Sequence, residues 1–289
     1  MNFIRKSLDN LKKPFGKGQK LEKFAPAFNA FDTLLFVHNH TTKKGAHIRD
    51  AVDLKRTMVT VIIALMPALI YGIYNTGYQH YIQIEESFTF LEAFIHGSWK
   101  SIPMIIVAYV VGLAIEFGFA VYRGEEVNEG YLVTGLLIPM IMPVDIPLWM
   151  VGISTAFAVL VAKEVFGGPG MNILNPALTA RAFAFFAYPP YISGNKVWVA
   201  EAGNIDAISG ETILGTLAAG GEVNYSMMEM LQGSIPGSIA DTSTLGVAVG
   251  ALILICTGVG SWRRCSGGII VAAIMGVLFN LCGVNGCMG

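Results

Sequence analysis

Thr57–Asn75 reads TMVTVIIALMPALIYGIYN and Ser101–Tyr122 reads SIPMIIVAYVVGLAIEFGFAVY, and the only charged side chain in these two apolar runs is Glu116. A bilayer core of about 30 Å takes roughly 20 helical residues at ~1.5 Å each, so each run has the length of one crossing. Further apolar segments follow at 131–143 (YLVTGLLIPMIMP), Leu148–Phe166, Pro176–Tyr188, Leu245–Trp262 and Gly267–Gly283. The pattern predicts an all-α fold, a polytopic transmembrane helical protein with about seven crossings. Segments 131–143 and Pro176–Tyr188 are short and bounded by Pro or Gly, as broken helices are. Irregular backbone survives at membrane depth only when it is buried in protein or lines a cavity, so a ligand is expected beside them.

Composition agrees. The chain is 54% hydrophobic and only 13% charged, far more apolar than one soluble core requires. A formal net charge of −1 conceals an asymmetry, because residues 1–56 hold 12 of the 19 Lys and Arg. This basic arm is expected in the cytoplasm, and counting crossings from it puts 123–130 and Arg263-Arg264 on the same side. The linker bearing Glu85, Glu86 and Glu92, and the loop 189–244, fall outside. The chain thus divides into the arm 1–56, membrane helices in 57–188, an outer loop 189–244 and final helices in 245–289. Met1–Arg56 is polar throughout, so no cleavable signal peptide is expected.

Several soluble chemistries are excluded. Gly167-Gly168-Pro169-Gly170 lacks the G-K-[S/T] of a phosphate-binding loop. Cys256, Cys265, Cys282 and Cys287 form no C-x-x-C pair, and His38, His40 and His47 lie in the polar arm, so no metal or iron–sulfur site is expected within this chain. Nothing points to a nucleic-acid partner.

Few residues are left to carry chemistry. Glu116 lies inside an apolar run, where a charge is costly; it either lines a cation or proton path or snorkels to the headgroups. Glu129, beside Asn128, reads as a solvated loop acid. Asn172 and Asn175 precede a short apolar segment and either cap it or face a polar ring system in the same cavity. Asp206-Ala207-Ile208-Ser209-Gly210-Glu211-Thr212, in the outer loop, reads on its own as a turn.

Longer blocks are more specific. These are His47-Ile48-Arg49-Asp50-Ala51-Val52-Asp53-Leu54-Lys55-Arg56, Val127-Asn128-Glu129-Gly130, Ala162-Lys163-Glu164-Val165-Phe166-Gly167-Gly168, Asn172-Ile173-Leu174-Asn175-Pro176-Ala177-Leu178, Ile235-Pro236-Gly237-Ser238-Ile239 and Ser243-Thr244-Leu245. Together they resemble the B subunit of the Na+-translocating NADH:quinone oxidoreductases, from the basic arm to about Gly283.

The resemblance implies that a flavin transferase joins the phosphate of FMN to Thr212, within a D-x-x-S-G-A-T-like signature that departs here at Glu211. It implies a non-covalent riboflavin at Asn172 and Asn175, and a quinone and ion pathway at Gly112, Glu116, Glu129 and Gly130, with Leu113 standing where a second glycine is common. It further implies a bacterial inner-membrane complex of six subunits, embedded in membrane lipid, that passes electrons from NADH to ubiquinone and exports Na+. Family members continue with about three further spans, so a C-terminal truncation is expected, and with it the reading of a fragment of little activity. Two rival functions remain: the D subunit of the ferredoxin-driven electron-transport complex, and a secondary transporter with no redox role.

Overall fold

The computed structural model describes residues 54–85, 87–123, 130–167, 171–194, 197–200, 212–218, 220–221 and 225–281. The basic arm up to Asp53, with His38, His40 and His47, lies outside these residues, as do Glu86, Asn128, Glu129, Asp206–Glu211, Cys282 and Cys287. Helix α1 (Leu54–Ile84) and helix α2 (Phe90–Arg123) have 31 and 34 residues, and both are long and apolar enough to cross a membrane. Most of the expected linker between them is therefore helical, leaving only the turn around Glu85 and Ser87–Thr89. Rings hold these extensions together: Tyr74 stacks on Phe90 at 4.8 Å, Tyr81 on Phe88 at 5.2 Å and His80 on His96 at 4.1 Å between centroids.

Below the rings the two backbones touch. A Cβ on Gly77 would stand 1.9 Å from the Ala93 carbonyl oxygen, and one on Gly97 would stand 1.8 Å from that of Ile73. Lipid tails are as apolar as leucine, so membrane helices associate by such close approach rather than by the hydrophobic effect.

The short elements follow as α3 (Tyr131–Met140), α4 (Leu148–Ala158), which runs directly into a π-helical turn at Val159–Glu164, α5 (Pro176–Ala187) and the single turn α6 (Pro189–Ile192). Then come α7 (Ile213–Ala218), α8 (Met227–Gln232), α9 (Thr244–Cys256) and α10 (Trp262–Leu281). No strand occurs among the described residues, and the chain is an all-helical polytopic membrane protein. Helix α2 packs against α1, α3 and α4, and α4 pairs with α5. Helix α9 returns to α1, where Gly246 and Gly250 meet the backbone of Ala68 and Ala64. Arg263 and Arg264 lie within the first turn of α10 rather than in the connection before it.

The region 189–244 is more than an outer loop. Its capping box at Ser226 and Glu229 starts α8, and two hydrogen bonds from Ser226 hold the Glu229 carboxyl below the usual carboxylate range. Its last part, 234–243, enters the helical core, with Ser238, Ile239, Ala240, Thr242 and Ser243 all buried. Backbone of this kind needs partners. Asn75 donates to the Ile235 carbonyl oxygen at 3.0 Å and to Thr242 Oγ1 at 3.4 Å, Tyr71 shares a hydrogen bond with Ser234 Oγ at 3.0 Å, and Ala240 N–H donates to the Met140 carbonyl at 3.1 Å. Asn75→Ala leaves the Ile235 carbonyl without its amide donor and is expected to cost about 1–3 kcal/mol, read as a lowered unfolding temperature of the purified protein. An unchanged temperature would mean that this loop is held by other contacts.

Candidate functional site

Helix α2 buries a stripe at a spacing of four: Met104, Ala108, Gly112, Glu116 and Ala120. Against it lies Tyr131, the first residue of α3, whose hydroxyl donates to the Ala108 carbonyl oxygen at 2.6 Å. A Cβ on Gly112 would stand 1.9 Å from Cζ of that ring, so the missing side chain is the seat of Tyr131. Gly130 precedes Tyr131 at the N-cap of α3. Three of the residues expected in a quinone and ion pathway, Gly112, Glu116 and Gly130, therefore gather around one tyrosine. The fourth, Glu129, lies outside the described residues, and Leu113 is half-buried beside the stripe.

Glu116 neither snorkels nor faces lipid. It forms an ion pair with Lys163 of the π turn, and the two residues are 4% and 2% exposed. The Lys163 ammonium also lies 5.5 Å from the centroid of the Tyr131 ring. Two turns along α2, Arg123 pairs with Glu164 at 3.4 Å and donates to the Glu164 carbonyl oxygen at 2.6 Å. Two acids and two bases thus bridge α2 to the π turn with no net charge. A charge in an apolar surrounding needs such compensation.

The π geometry is what aims Lys163. The Val165 N–H reaches the Leu160 carbonyl oxygen, five residues back, at 3.0 Å. The wider turn lets the adjacent side chains of Lys163 and Glu164 both reach α2. Single π turns of this kind recur at functional sites.

Asn175 caps α5: its Oδ1 accepts from Ala177 N–H at 2.9 Å and Leu178 N–H at 3.4 Å, with Pro176 at the first helical position. No described residue accepts from its amide nitrogen, and both Asn175 and Asn172 are exposed. One turn into α5, Thr179 begins an apolar groove of about 470 Å³ lined by Phe157, Thr179, Ala182, Phe183, Phe186 and Ala187. Phe157 and Phe183 stack at 4.4 Å within it. Its lining is apolar and aromatic, and Asn175 stands one turn before Thr179 on the same helix.

Thr212 is half-buried at the start of α7, where its hydroxyl accepts from Gly215 N–H at 3.2 Å and its carbonyl accepts from Thr216 N–H at 3.0 Å. Among the described residues Gly215 is the one that donates to its Oγ1. No hydrogen bond joins Thr212 to Asn172, Asn175 or Glu116 among the described residues. Glu211 and the preceding signature residues lie outside them.

Sequence reasoning missed Lys163 and Tyr131 as members of the Glu116 cluster, and Phe157 and Phe183 as groove walls. A lysine inside an apolar segment was the available signal, since it requires a buried acid, and Glu116 and the adjacent Glu164 were the acids inside apolar segments.

Residues 41–288 match the family described as NQR2, RnfD, RnfE family. The chain is 41% identical to the B subunit of the Na(+)-translocating NADH-quinone reductase of Chromohalobacter salexigens, over 97% of this chain and 73% of that protein. It is 40% identical to the protein of the same name from Ectopseudomonas mendocina, over 98% and 76% of the two chains, and 36% identical to that of Pseudomonas aeruginosa, over 97% and 75%.

Proposed function

Because the chain belongs to the NQR2, RnfD, RnfE family, we propose that it is the membrane flavoprotein subunit of a Na+-translocating NADH:quinone oxidoreductase. In this reading it carries electrons from a covalent FMN through riboflavin to ubiquinone and couples their passage to Na+ export. The observation that carries the reading is the similarity to proteins named as the B component of such reductases, which extends over 97% of the chain. Thr212, the FMN attachment residue, offers its hydroxyl to a flavin transferase. Asn172 and Asn175 would hold riboflavin, with the groove of Phe157 and Phe183, along the helix that Asn175 caps, offering it an apolar surface. Gly112, Glu116, Glu129 and Gly130 form the quinone and ion pathway. The remaining members of a six-subunit complex supply NADH oxidation, and the chain sits in the bacterial inner membrane with its N-terminus in the cytoplasm.

Flavins supply the one- and two-electron chemistry when bound; the protein's part is orientation and electrostatics. The Asn175 side chain is fixed by the two N–H groups it caps, which leaves its NH2 as an oriented donor. Tyr131, locked to Ala108, fixes the wall beside Glu116.

Membranes co-expressing the chain with a flavin transferase test this reading directly. After denaturing electrophoresis the wild-type band is expected to fluoresce under ultraviolet light, and Thr212→Val is expected to be completely dark at equal protein. A dark wild-type band would overturn the flavoprotein reading and favour a transporter without redox cofactors. Reduction of quinone with ferredoxin rather than NADH as the source of electrons would assign the chain to the ferredoxin-driven complex instead.

A further inference from the structure

The pair Lys163–Glu116 is more than charge compensation for a misplaced acid. Glu116 is 4% exposed, and apart from the ion pair with Lys163 no described residue donates to its carboxylate. Its single partner is the ammonium of Lys163, which in turn donates no further hydrogen bond among the described residues. Buried ion pairs built for stability satisfy their remaining lone pairs and protons with additional hydrogen bonds; this one does not. The neighbouring hydroxyl that could have served, that of Tyr131, is committed to the Ala108 carbonyl oxygen.

A carboxylate whose one partner among the described residues is a monovalent cation has a simple alternative state, in which another monovalent cation takes the place of the first. We propose that Lys163 is a tethered counter-ion for Glu116 that exchanges with a free monovalent cation, with the π turn as the element that presents and withdraws it. This rests on the functional reading above, in which Glu116 lies on the ion pathway, and adds the residue that occupies Glu116 when the cation is elsewhere.

The geometry of the turn gives the exchange a route. Relaxing a π turn to α geometry shifts the register by one residue, and one residue of α-helix is a rotation of about 100° about the axis. That rotation carries the Lys163 side chain off the face that meets α2. Arg123 grips the Glu164 carbonyl and carboxylate, so the end of the turn stays attached to α2. Other buried hydroxyls lie farther along the same helices: Ser101 on α2, ~22 Å from Glu116 at ~1.5 Å per residue, and Ser154 and Thr155 on α4, all fully buried and without a described partner. Helices α2 and α4 meet near Gly152, whose Cβ would lie 3.6 Å from Val107, and Thr155 is one turn beyond it.

The test compares unfolding temperatures of the purified complex in sodium chloride and in choline chloride at equal ionic strength, for wild type, Lys163→Met, and Lys163→Met/Glu116→Gln. In Lys163→Met the vacated carboxylate is expected to recruit Na+, so the sodium-minus-choline difference rises by several degrees above the wild-type difference and saturates with sodium. In the double variant it returns to the wild-type value or below. Lys163→Gln, which keeps a hydrogen-bond donor, provides the same comparison if Lys163→Met does not assemble. A single-variant difference equal to the wild type's overturns the proposal, because Glu116 has then been neutralised by a proton. So does failure of both single variants to assemble in sodium when the double variant assembles. Absence of covalent flavin in the wild type would sink the functional reading without touching this comparison, which requires no turnover.

Discussion

Glu116→Leu is expected to destabilise the assembled protein by about 3–5 kcal/mol, the usual cost of removing one partner from a buried ion pair. The reason lies in what remains rather than in what is lost. Lys163 is 2% exposed and projects from the π turn at the end of α4 onto α2, so its ammonium cannot reach water without moving the turn. Glu164 is adjacent in sequence but already engaged by Arg123. Adding Lys163→Met to Glu116→Leu removes both charges and fills their place with apolar groups of similar size, which is commonly neutral or stabilising. The double variant is therefore expected to recover most of the lost stability. Thermal unfolding of the two single variants and the double variant reads the coupling; additive losses would show that the pair contributes nothing as a pair.

Gly72→Leu is the second substitution with a large expected effect. A Cβ at Gly72 would stand 1.6 Å from the Ile239 carbonyl oxygen, 2.7 Å from its carbon and 3.0 Å from the Cα of Ala240. All three are backbone atoms, so no side-chain rotation makes room. The segment 234–243 must move away from α1, breaking the hydrogen bonds from Asn75 to Ile235 and between Tyr71 and Ser234. Overpacking alone costs about 1–3 kcal/mol, and each lost hydrogen bond adds about 1 kcal/mol. Gly118→Leu is the control: it lies on α2 with nothing within 4 Å of its Cβ position, and there the change is expected to be neutral or mildly stabilising. Equal unfolding temperatures for the two variants would refute the packing argument.

The helices were legible in the sequence because a bilayer imposes a length and an apolar composition on anything that crosses it. Tyr131–Met140, Leu148–Glu164 and Pro176–Ala187 fall within the segments read from apolar runs and prolines. The C-terminal end of α1 and the start of α2 were not legible, since Tyr78, Gln79 and His80 are too polar for a hydropathy reading. Their helical state is secured by rings on the other arm of the hairpin, a tertiary fact. Asn175 as a cap was legible because Pro176 follows it. The burial of 234–243 was not: its Ser, Thr and Gly residues look like loop, and only the distant donors at Asn75 and Tyr71 make such a sequence tolerable inside a core. The partnership of Glu116 with Lys163 spans 47 residues of sequence, and the π turn that creates it has no composition of its own.

Gly77 and Gly97, which bring α1 and α2 together, and Gly72, which brings α1 against Ile239, have a further consequence. Where a carbonyl oxygen occupies the space of an absent Cβ, it faces the Cα–H of the glycine, the arrangement of a weak C–H···O hydrogen bond worth about 0.5–1 kcal/mol. Such bonds depend on backbone geometry and owe nothing to the solvent that surrounds the helices. Exchanging native lipid for detergent changes the solvation of α10, none of whose described side chains is buried, but leaves the α1–α2 hairpin with the same contacts. In hydrogen–deuterium exchange the hairpin's amides would accordingly be the most slowly labelled part of the chain, whatever the chemistry of the amphiphile that replaces the bilayer.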